Sequence, residues 1–249
     1  DGSQQTDSSF NGTVNAVVRD AKEEIVCKMN DTSETDVPFV YYDRPNTIFN
    51  GSDSVRQGRF TFTFVVPKDI SYSDQQGIIN LYAVNSSKTT TASGRFEQIV
   101  MNGTSGTGGN EQGPSIYCYL NSPAFVNGGN VNTTPYFVAE ITDEDGINAA
   151  GNGIGHDLQL IIDGEMSKTY SLNDYFQYDF GSYTSGKVGF SIPALDYGKH
   201  HLLFRAWDVM NNSSTAELDF NVVKGAEPVF SEVYCSPNPA TTKTTFHII

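Results

Sequence analysis

The residues best suited to chemistry are the acidic and amide side chains of residues 142–148, which have the sequence TDEDGIN. Asp143, Asp145 and Asn148 offer oxygen atoms there, and Asp208 offers more in a second polar loop, DVMNN. Ca²⁺ prefers such oxygen ligands, so we predict a calcium site if the two loops meet at one end of a β-sandwich. The D-x-[DN]-x-[DN]-G spacing and distal Glu of an EF-hand are missing. The alternative is that these side chains only cap turns, which Asp and Asn often do.

Aromatic side chains form a second group of candidate binding residues. Trp207 is the only tryptophan, and Tyr175, Phe176 and Tyr178 lie among polar residues in LNDYFQYDF. Rings exposed between polar groups are typical of protein contact surfaces and suit carbohydrate binding, so these four residues are the predicted binding positions. The alternative is that they pack against a neighbouring loop or cover an edge of the fold, since large aromatic side chains are usually well buried.

No catalytic residue is predicted. His156 follows glycines in GIGHD, but Cys118 lies in the apolar run IYCYL, and no cysteine stands in a glycine-rich turn where a histidine could activate it. Cys27, Cys118 and Cys235 have no metal-binding spacing, and three cysteines cannot all pair within one chain. They are interpreted as buried or unreactive thiols, with one disulfide left open as an alternative.

Apolar residues alternate along most of the chain, which indicates β-strands. Leu202, Phe204 and Ala206 alternate before the polar residues 208–214, and the apolar residues from Ala216 to Val222 alternate after them, so a hairpin is expected. Phenylalanines at every second position predict another strand at residues 59–66. No stretch of ordinary length has the helical period, although residues 172–176 are compatible with one helical turn. The predicted fold class is all-β, with tandem immunoglobulin-like antiparallel sandwiches.

Three units are predicted along the chain. Residues 1–112 would form the first β-sandwich, with a Gly/Ser-rich linker at residues 102–113. Residues 113–224 would form the second sandwich, of immunoglobulin-like type. Residues 225–249 would begin a third, truncated β module, because a two-stranded piece is only marginally stable alone.

The charge of the chain excludes some partners. The formal net charge is −14, with 15 Lys and Arg against 29 Asp and Glu. Such a surface repels phosphate backbones and anionic lipid surfaces, so neither nucleic acid nor a membrane surface is an expected partner. No apolar run reaches the roughly 18 residues of a membrane-spanning helix. The first ten residues, DGSQQTDSSF, lack the features of a signal peptide, so a mature or internal fragment is expected.

Several strings resemble the region after the catalytic domain in gingipain-type cysteine peptidases, and most closely in PorU-type sortases of the type IX secretion system. They occur in the same order in that family: FNGTV, IFNG, GRFTFTFVVPKDISY, GIINLYA, DEDGIN, GIGHD, LNDYF and GKVGFSIPALDYGKHHLLFRAWDVMNNSS. The tail PVFSEVYCSPNPATTKTTFHII resembles the opening of C-terminal sorting or FlgD-like modules on Bacteroidetes surface proteins.

The resemblance implies a function that the residues alone do not. The parent would be exported and held at the cell surface or outer membrane, and its peptidase domain would lie upstream of this chain. The chain itself would be non-catalytic and would support, position or dock that domain, with secretion-system outer-membrane proteins as further partners. The rival hypothesis is a carbohydrate-binding or adhesion module. An exposed aromatic strip would favour the rival, and an extensive interface with an upstream domain would favour the scaffold.

Overall fold

The computed structural model of the chain describes residues 5–29, 33, 36–68, 70, 74–102, 108–150, 155–225 and 233–248. Within these ranges the regular structure consists of β-strands and two short 3-10 turns, Met166–Lys168 and Asn173–Tyr175. The all-β prediction is therefore confirmed, and the second turn lies where one helical turn was expected. In chain order the strands are β1 (Gly12–Arg19), β2 (Glu23–Val26), β3 (Val40–Asp43), β4 (Thr47–Val55), β5 (Gly77–Asn85), β6 (Thr91–Ile99), β7 (Ser115–Leu120), β8 (Asn130–Val131), β9 (Tyr136–Thr142), β10 (Gln159–Ile162), β11 (Thr169–Ser171), β12 (Phe176–Tyr178), β13 (Ser185–Ser191), β14 (Gly198–Trp207), β15 (Ser213–Val222), β16 (Val233–Ser236) and β17 (Thr245–Ile248).

Two sheets face each other in the second half of the chain. One has the strand order β11-β10-β14-β15-β8 and the other β12-β13-β9-β7. The predicted hairpin is present, with β14 and β15 paired antiparallel from Gly198 opposite Val222 to Trp207 opposite Ser213. Phe204 and Phe137 are both fully buried, and their ring centroids lie 5.2 Å apart between the sheets. Burying a side chain of that size stabilises the fold by about 1.5–3 kcal/mol, so alternation along the strands builds this core.

The first half contains one larger sheet, of order β4-β1-β5-β6, and a separate β2–β3 hairpin. The sheets described in this half do not confirm the second layer that a tandem sandwich needs. The strand predicted at residues 59–66 is wrong, because residues 60–67 belong to no strand. Phe62 and Phe64 nevertheless stack on Phe49 of β4, with centroids 5.9 and 5.2 Å from its ring. Alternation thus identifies two rings that pack on β4, but Phe60 and Val66 of the same predicted face are exposed, and alternation does not predict whether a neighbouring strand supplies hydrogen bonds.

The two halves contact each other through packed side chains and backbone hydrogen bonds. Phe49, only 3% exposed, stacks on Tyr178 of β12 at 5.0 Å. The Gly181 N–H donates to the Ser52 carbonyl at 2.8 Å, and the Lys68 N–H donates to Val209 at 3.1 Å. Buried residues of both halves therefore belong to one hydrophobic cluster, so the halves are joined by more than a linker.

The predicted third module is represented by the antiparallel pair β16–β17. Residues 226–232, which precede it, lie outside the described residues, as do residues 103–107 of the predicted linker. The three-unit division of the chain stays a prediction. In the part of the chain that the structure describes, no helix has the length and apolar character to cross a membrane.

Candidate metal site at one end of the second half

Two neighbouring loops meet at one end of the second half. The first follows β9 and the second follows β14. Ile147 forms an isolated antiparallel bridge with Asp208, and the Val209 N–H donates to the Gly146 carbonyl at 2.9 Å. Gly146 has a φ of +117°, a conformation that side chains other than that of glycine rarely adopt. These contacts hold the two predicted ligand loops together.

The side chains of Asp143, Asp145 and Asp208 converge where the loops meet. Each offers a carboxylate oxygen, and these oxygens all lie within 4.8 Å of one another. Asp208 is fully buried. Three carboxylates this close repel one another unless a proton or a cation lies between them. The structure thus brings together three of the four residues predicted as ligands.

Hydrogen bonds orient the carboxylates and leave acceptor capacity on each. Asp143 Oδ1 accepts from the Asp145 and Gly146 N–H groups at 2.8 and 3.1 Å. Asp208 Oδ1 accepts from the Met210 and Asn212 N–H groups at 2.9 and 2.7 Å, and its Oδ2 accepts from Asn212 Nδ2 at 2.7 Å. A carboxylate has about four lone-pair directions. Each group can therefore keep these bonds and also bind a cation.

The pKa of Asp143 reflects its burial and the negative charges of its two neighbours. Burial, and then the charges of Asp208 and Asp145, raise the pKa of Asp143, although the two backbone N–H donors act in the opposite direction. A raised carboxyl pKa means that the folded protein disfavours the ionised group. A bound divalent cation would reverse that preference, because it compensates the charge directly.

Asn110, near the end of the predicted linker, forms hydrogen bonds with residues of both acidic loops. The Asn110 N–H donates to Asp145 Oδ2 at 2.8 Å, and Asn212 Nδ2 donates to the Asn110 carbonyl at 3.0 Å. A Cβ placed on Gly109 would lie 2.5 Å from Asp145 Oδ2, so glycine is needed for this close approach. An open groove of about 580 Å³ runs beside Asn110 and Asp143, the one carboxylate of the cluster that lines it.

Asn148, the fourth predicted ligand, is fully buried next to the loops. Its Oδ1 accepts from the Ala150 N–H at 3.0 Å, and its own N–H donates to the Trp207 carbonyl at 2.9 Å. The donor set of three carboxylates fits a hard cation such as Ca²⁺ rather than a thiolate-binding metal.

The four predicted aromatic binding residues differ in how much of each side chain is exposed. Phe176 and Tyr178 are 3% and 6% exposed, and the Tyr178 hydroxyl donates to the Ile147 carbonyl at 2.6 Å. Trp207 is half-buried against the His156 ring, with centroids 4.3 Å apart. Tyr175 alone among the four presents a largely exposed ring, at 53%.

One of the three cysteines, Cys118, agrees with the interpretation of an unreactive thiol. All three are free, and burial raises the pKa of Cys118 to about 11. That thiol stays protonated at neutral pH and is therefore a poor nucleophile.

Sequence reasoning missed two groups of residues that the structure makes prominent. Gly109 and Asn110 were assigned to a linker, and only their contact with the acidic loops gives them a role. Tyr136 and Gly189 lie next to each other on the outer face of one sheet, beside Tyr175. The available signal for the second pair was a glycine at an outward position of a strand, which often marks close approach of another group.

Comparison with known proteins finds similarity to a solved structure. No protein-family model matches it, and no curated protein matches it. The crystal structure of dimeric latent PorU from Porphyromonas gingivalis matches with 36% sequence identity over 97% of this chain, with a TM-score of 0.47. The chain spans 22% of the length of that protein. This chain is thus similar in sequence to a part of PorU.

Proposed function

We propose that the chain is a non-catalytic β-sandwich region of a secreted, cell-surface protein, a gingipain-type cysteine peptidase or PorU-like sortase. In this proposal it supports, positions or docks the catalytic domain of the same polypeptide. Secretion-system proteins of the outer membrane are its further partners. The assignment of the parent depends on the ordered strings shared with that family.

The observation that favours this supporting role is the packed junction between the two halves. A flexible linker alone would let the halves turn freely, whereas Phe49 stacked on Tyr178 restricts them. Close-packed interiors deform little and transmit orientation. A catalytic domain attached to such a unit would be held at a defined distance and angle from its docking partner.

The full-length parent protein provides the test. Phe49→Ala loosens the junction without touching a catalytic group, so we expect surface peptidase activity to fall several-fold. Phe96→Ala is the matched control, because Phe96 is 49% exposed on β6. Full activity in a Phe49→Ala parent whose junction is shown by limited proteolysis to be loosened would contradict the supporting role. Peptide hydrolysis by the isolated 249-residue chain would contradict its non-catalytic character.

We also propose that the three converging carboxylates bind Ca²⁺ and lock the end of the second half. A ligand that binds only the folded state stabilises it by about 2.7 kcal/mol at a hundred times its Kd. Thermal unfolding should therefore shift to higher temperature with CaCl₂ and back with a chelator.

Asp208→Asn tests the site, because it keeps an oxygen for the Met210 and Asn212 N–H groups while removing the charge. The calcium-dependent shift in Tm should disappear in this variant. Asp174→Asn, on the 3-10 turn outside the cluster, should keep the full shift. An equal shift in wild type and Asp208→Asn would show that calcium acts elsewhere.

A further inference from the structure

A groove of about 360 Å³ lies on the outer face of the sheet of order β12-β13-β9-β7, away from the buried core. Its size is within the range of small-molecule sites. The residues that line it and carry the argument are Tyr136, Tyr175, Gln177, Asp179, Lys187 and Gly189. It is separate from the acidic loops and does not depend on the proposed scaffold role.

The hydroxyl end of the Tyr136 side chain lies over the neighbouring strand. A Cβ on Gly189 would overlap the Tyr136 hydroxyl and would lie only 3.0 Å from its Cζ, so the ring rests on the space that glycine leaves. The ring is 46% exposed. Glycine inside a strand weakens it and is found where another group must approach the backbone closely. Here its consequence is a tyrosine ring held against the sheet, with much of its surface open to solvent.

Tyr175 supplies a second ring in a fixed position. It lies on the 3-10 turn before β12 and is 53% exposed. Its ring meets Phe190 edge-on, with centroids 5.1 Å apart and planes at 78°. Aromatic pairs of this geometry stabilise each other by about 0.5–1.5 kcal/mol. Phe190 is opposite the buried Phe137 in the β13–β9 ladder and packs against the core, so this contact places the Tyr175 ring at the rim of the groove.

Polar residues line the same groove as the two tyrosines. Gln177 is opposite Lys187 in the β12–β13 ladder, and its exposed side chain has no hydrogen-bond partner among the described residues. Lys187 Nζ is 2.8 Å from Glu140 Oε1, so its charge is compensated locally. Asp179 adds a carboxylate at the edge of the groove. The groove thus combines two aromatic rings with hydrogen-bonding groups.

We propose that this groove binds a neutral oligosaccharide. A sugar ring has a flat C–H face that can pack on tyrosine and a rim of hydroxyls that can bond to Gln177, Lys187 and Asp179. The net charge of −14 disfavours an acidic polysaccharide. An extended peptide is disfavoured at the centre of the groove, because β9 and β13 are paired on both sides and offer no free edge.

Binding of defined probes to the 249-residue chain tests this site. The neutral probes are mannotetraose, cellotetraose and maltotetraose, and the anionic probe is tetragalacturonate, each followed by saturation-transfer NMR and calorimetry. At least one neutral probe should bind with a Kd below about 10 mM, which corresponds to a weak but specific site. The proposal is overturned if no neutral probe binds in that range, or if tetragalacturonate binds more tightly.

Matched variants show which residues form the binding site. Tyr136→Ala and Tyr175→Ala should each raise the Kd at least about fivefold, since each removes one stacking surface. Tyr82→Ala, which removes a 52% exposed tyrosine from a different sheet, should leave the Kd unchanged. Gly189→Ala should raise the Kd by displacing Tyr136, whereas Gly94→Ala, whose Cβ would make only ordinary contacts at 3.8 Å, should not. Wild-type affinity in folded Tyr136→Ala and Tyr175→Ala proteins would also overturn the proposal.

Discussion

At the scale of single residues, the acidic loops show how one side chain can serve structure and chemistry together. Asp143 and Asp208 each accept two backbone N–H groups through Oδ1, which explains them as turn-forming residues. Their closeness is not explained by turn formation, because capping does not require carboxylate oxygens of separate loops to lie within 4.8 Å. That closeness is the physical reason for proposing a cation.

The raised pKa of Asp143 predicts opposite effects of one substitution with and without calcium. Because the folded pKa is raised, the free energy of unfolding of the metal-free protein should fall as pH rises from the ordinary carboxyl pKa, 3.8, through the higher folded value. Asp143→Asn keeps Oδ1 as an acceptor and removes the charge. At neutral pH its Tm should exceed that of wild type slightly in chelator and lie below it in CaCl₂. Thermal melts at several pH values check both signs, and a variant less stable than wild type under both conditions would contradict the electrostatic argument.

At the scale of elements, the strands place loops and the loops create the sites. β9 and β14 lie in different sheets, and the turns that follow them meet at one end. The segment that enters β7 then lies across those turns and donates a backbone N–H to Asp145. The outer face of β9 and β13 works differently, because there the paired strands themselves display the tyrosine and the glycine.

Two adjacent glycines of the segment before β7 allow a closely matched experiment. A Cβ on Gly109 would lie 2.5 Å from Asp145 Oδ2 and 2.7 Å from Met210 Cγ, whereas a Cβ on Gly108 meets nothing within 4 Å. Gly109→Ala should therefore weaken calcium binding by about threefold or more, since the bond it disturbs contributes about 0.5–1.5 kcal/mol. Gly108→Ala should leave the affinity unchanged. Calorimetric titration with CaCl₂ measures both, and equal affinities for the two variants would refute the role of this segment.

At the scale of the whole molecule, the hydrophobic cluster extends from the first sheet into the second half. Phe49 is central to that continuity, since its ring contacts Phe62, Phe64 and Tyr178. A contact between two halves that includes a residue only 3% exposed resembles a domain core more than a transient interface. The halves should therefore unfold together rather than one after the other.

Phe49→Ala tests this cooperativity. Removing a buried phenylalanine ring costs about 3–5 kcal/mol, and loss of the junction should also split one unfolding transition into two. Phe96→Ala should cost less than about 1 kcal/mol, because its ring is already half in water. Urea unfolding followed by fluorescence and by circular dichroism measures both quantities. Coincident single transitions in wild type and Phe49→Ala, with equal midpoints, would show that the junction contributes nothing.

The sequence by itself determined the element type and much of the buried face. Alternation at Leu202, Phe204 and Ala206 predicted side chains that are all fully buried, and the polar turn after them predicted the β14–β15 hairpin. Asp143, Asp145 and Asp208 were also accessible to sequence reasoning, because oxygen ligands in turns are a local pattern. These local features share a cause: the period of a strand and the chemistry of a turn are properties of a few neighbouring residues.

Only the tertiary structure decided the partners of these local features. The same alternation at Phe60, Phe62 and Phe64 predicted a strand, yet the segment packs its rings without joining a ladder. Phe176 and Tyr178 have the same local pattern as Tyr175, but only Tyr175 remains largely exposed. Gly109 gained its role from an aspartate 36 residues away along the chain, and Gly189 from Tyr136. Such pairings depend on how sheets and loops pack, and that depends on the whole chain rather than on any short stretch of it.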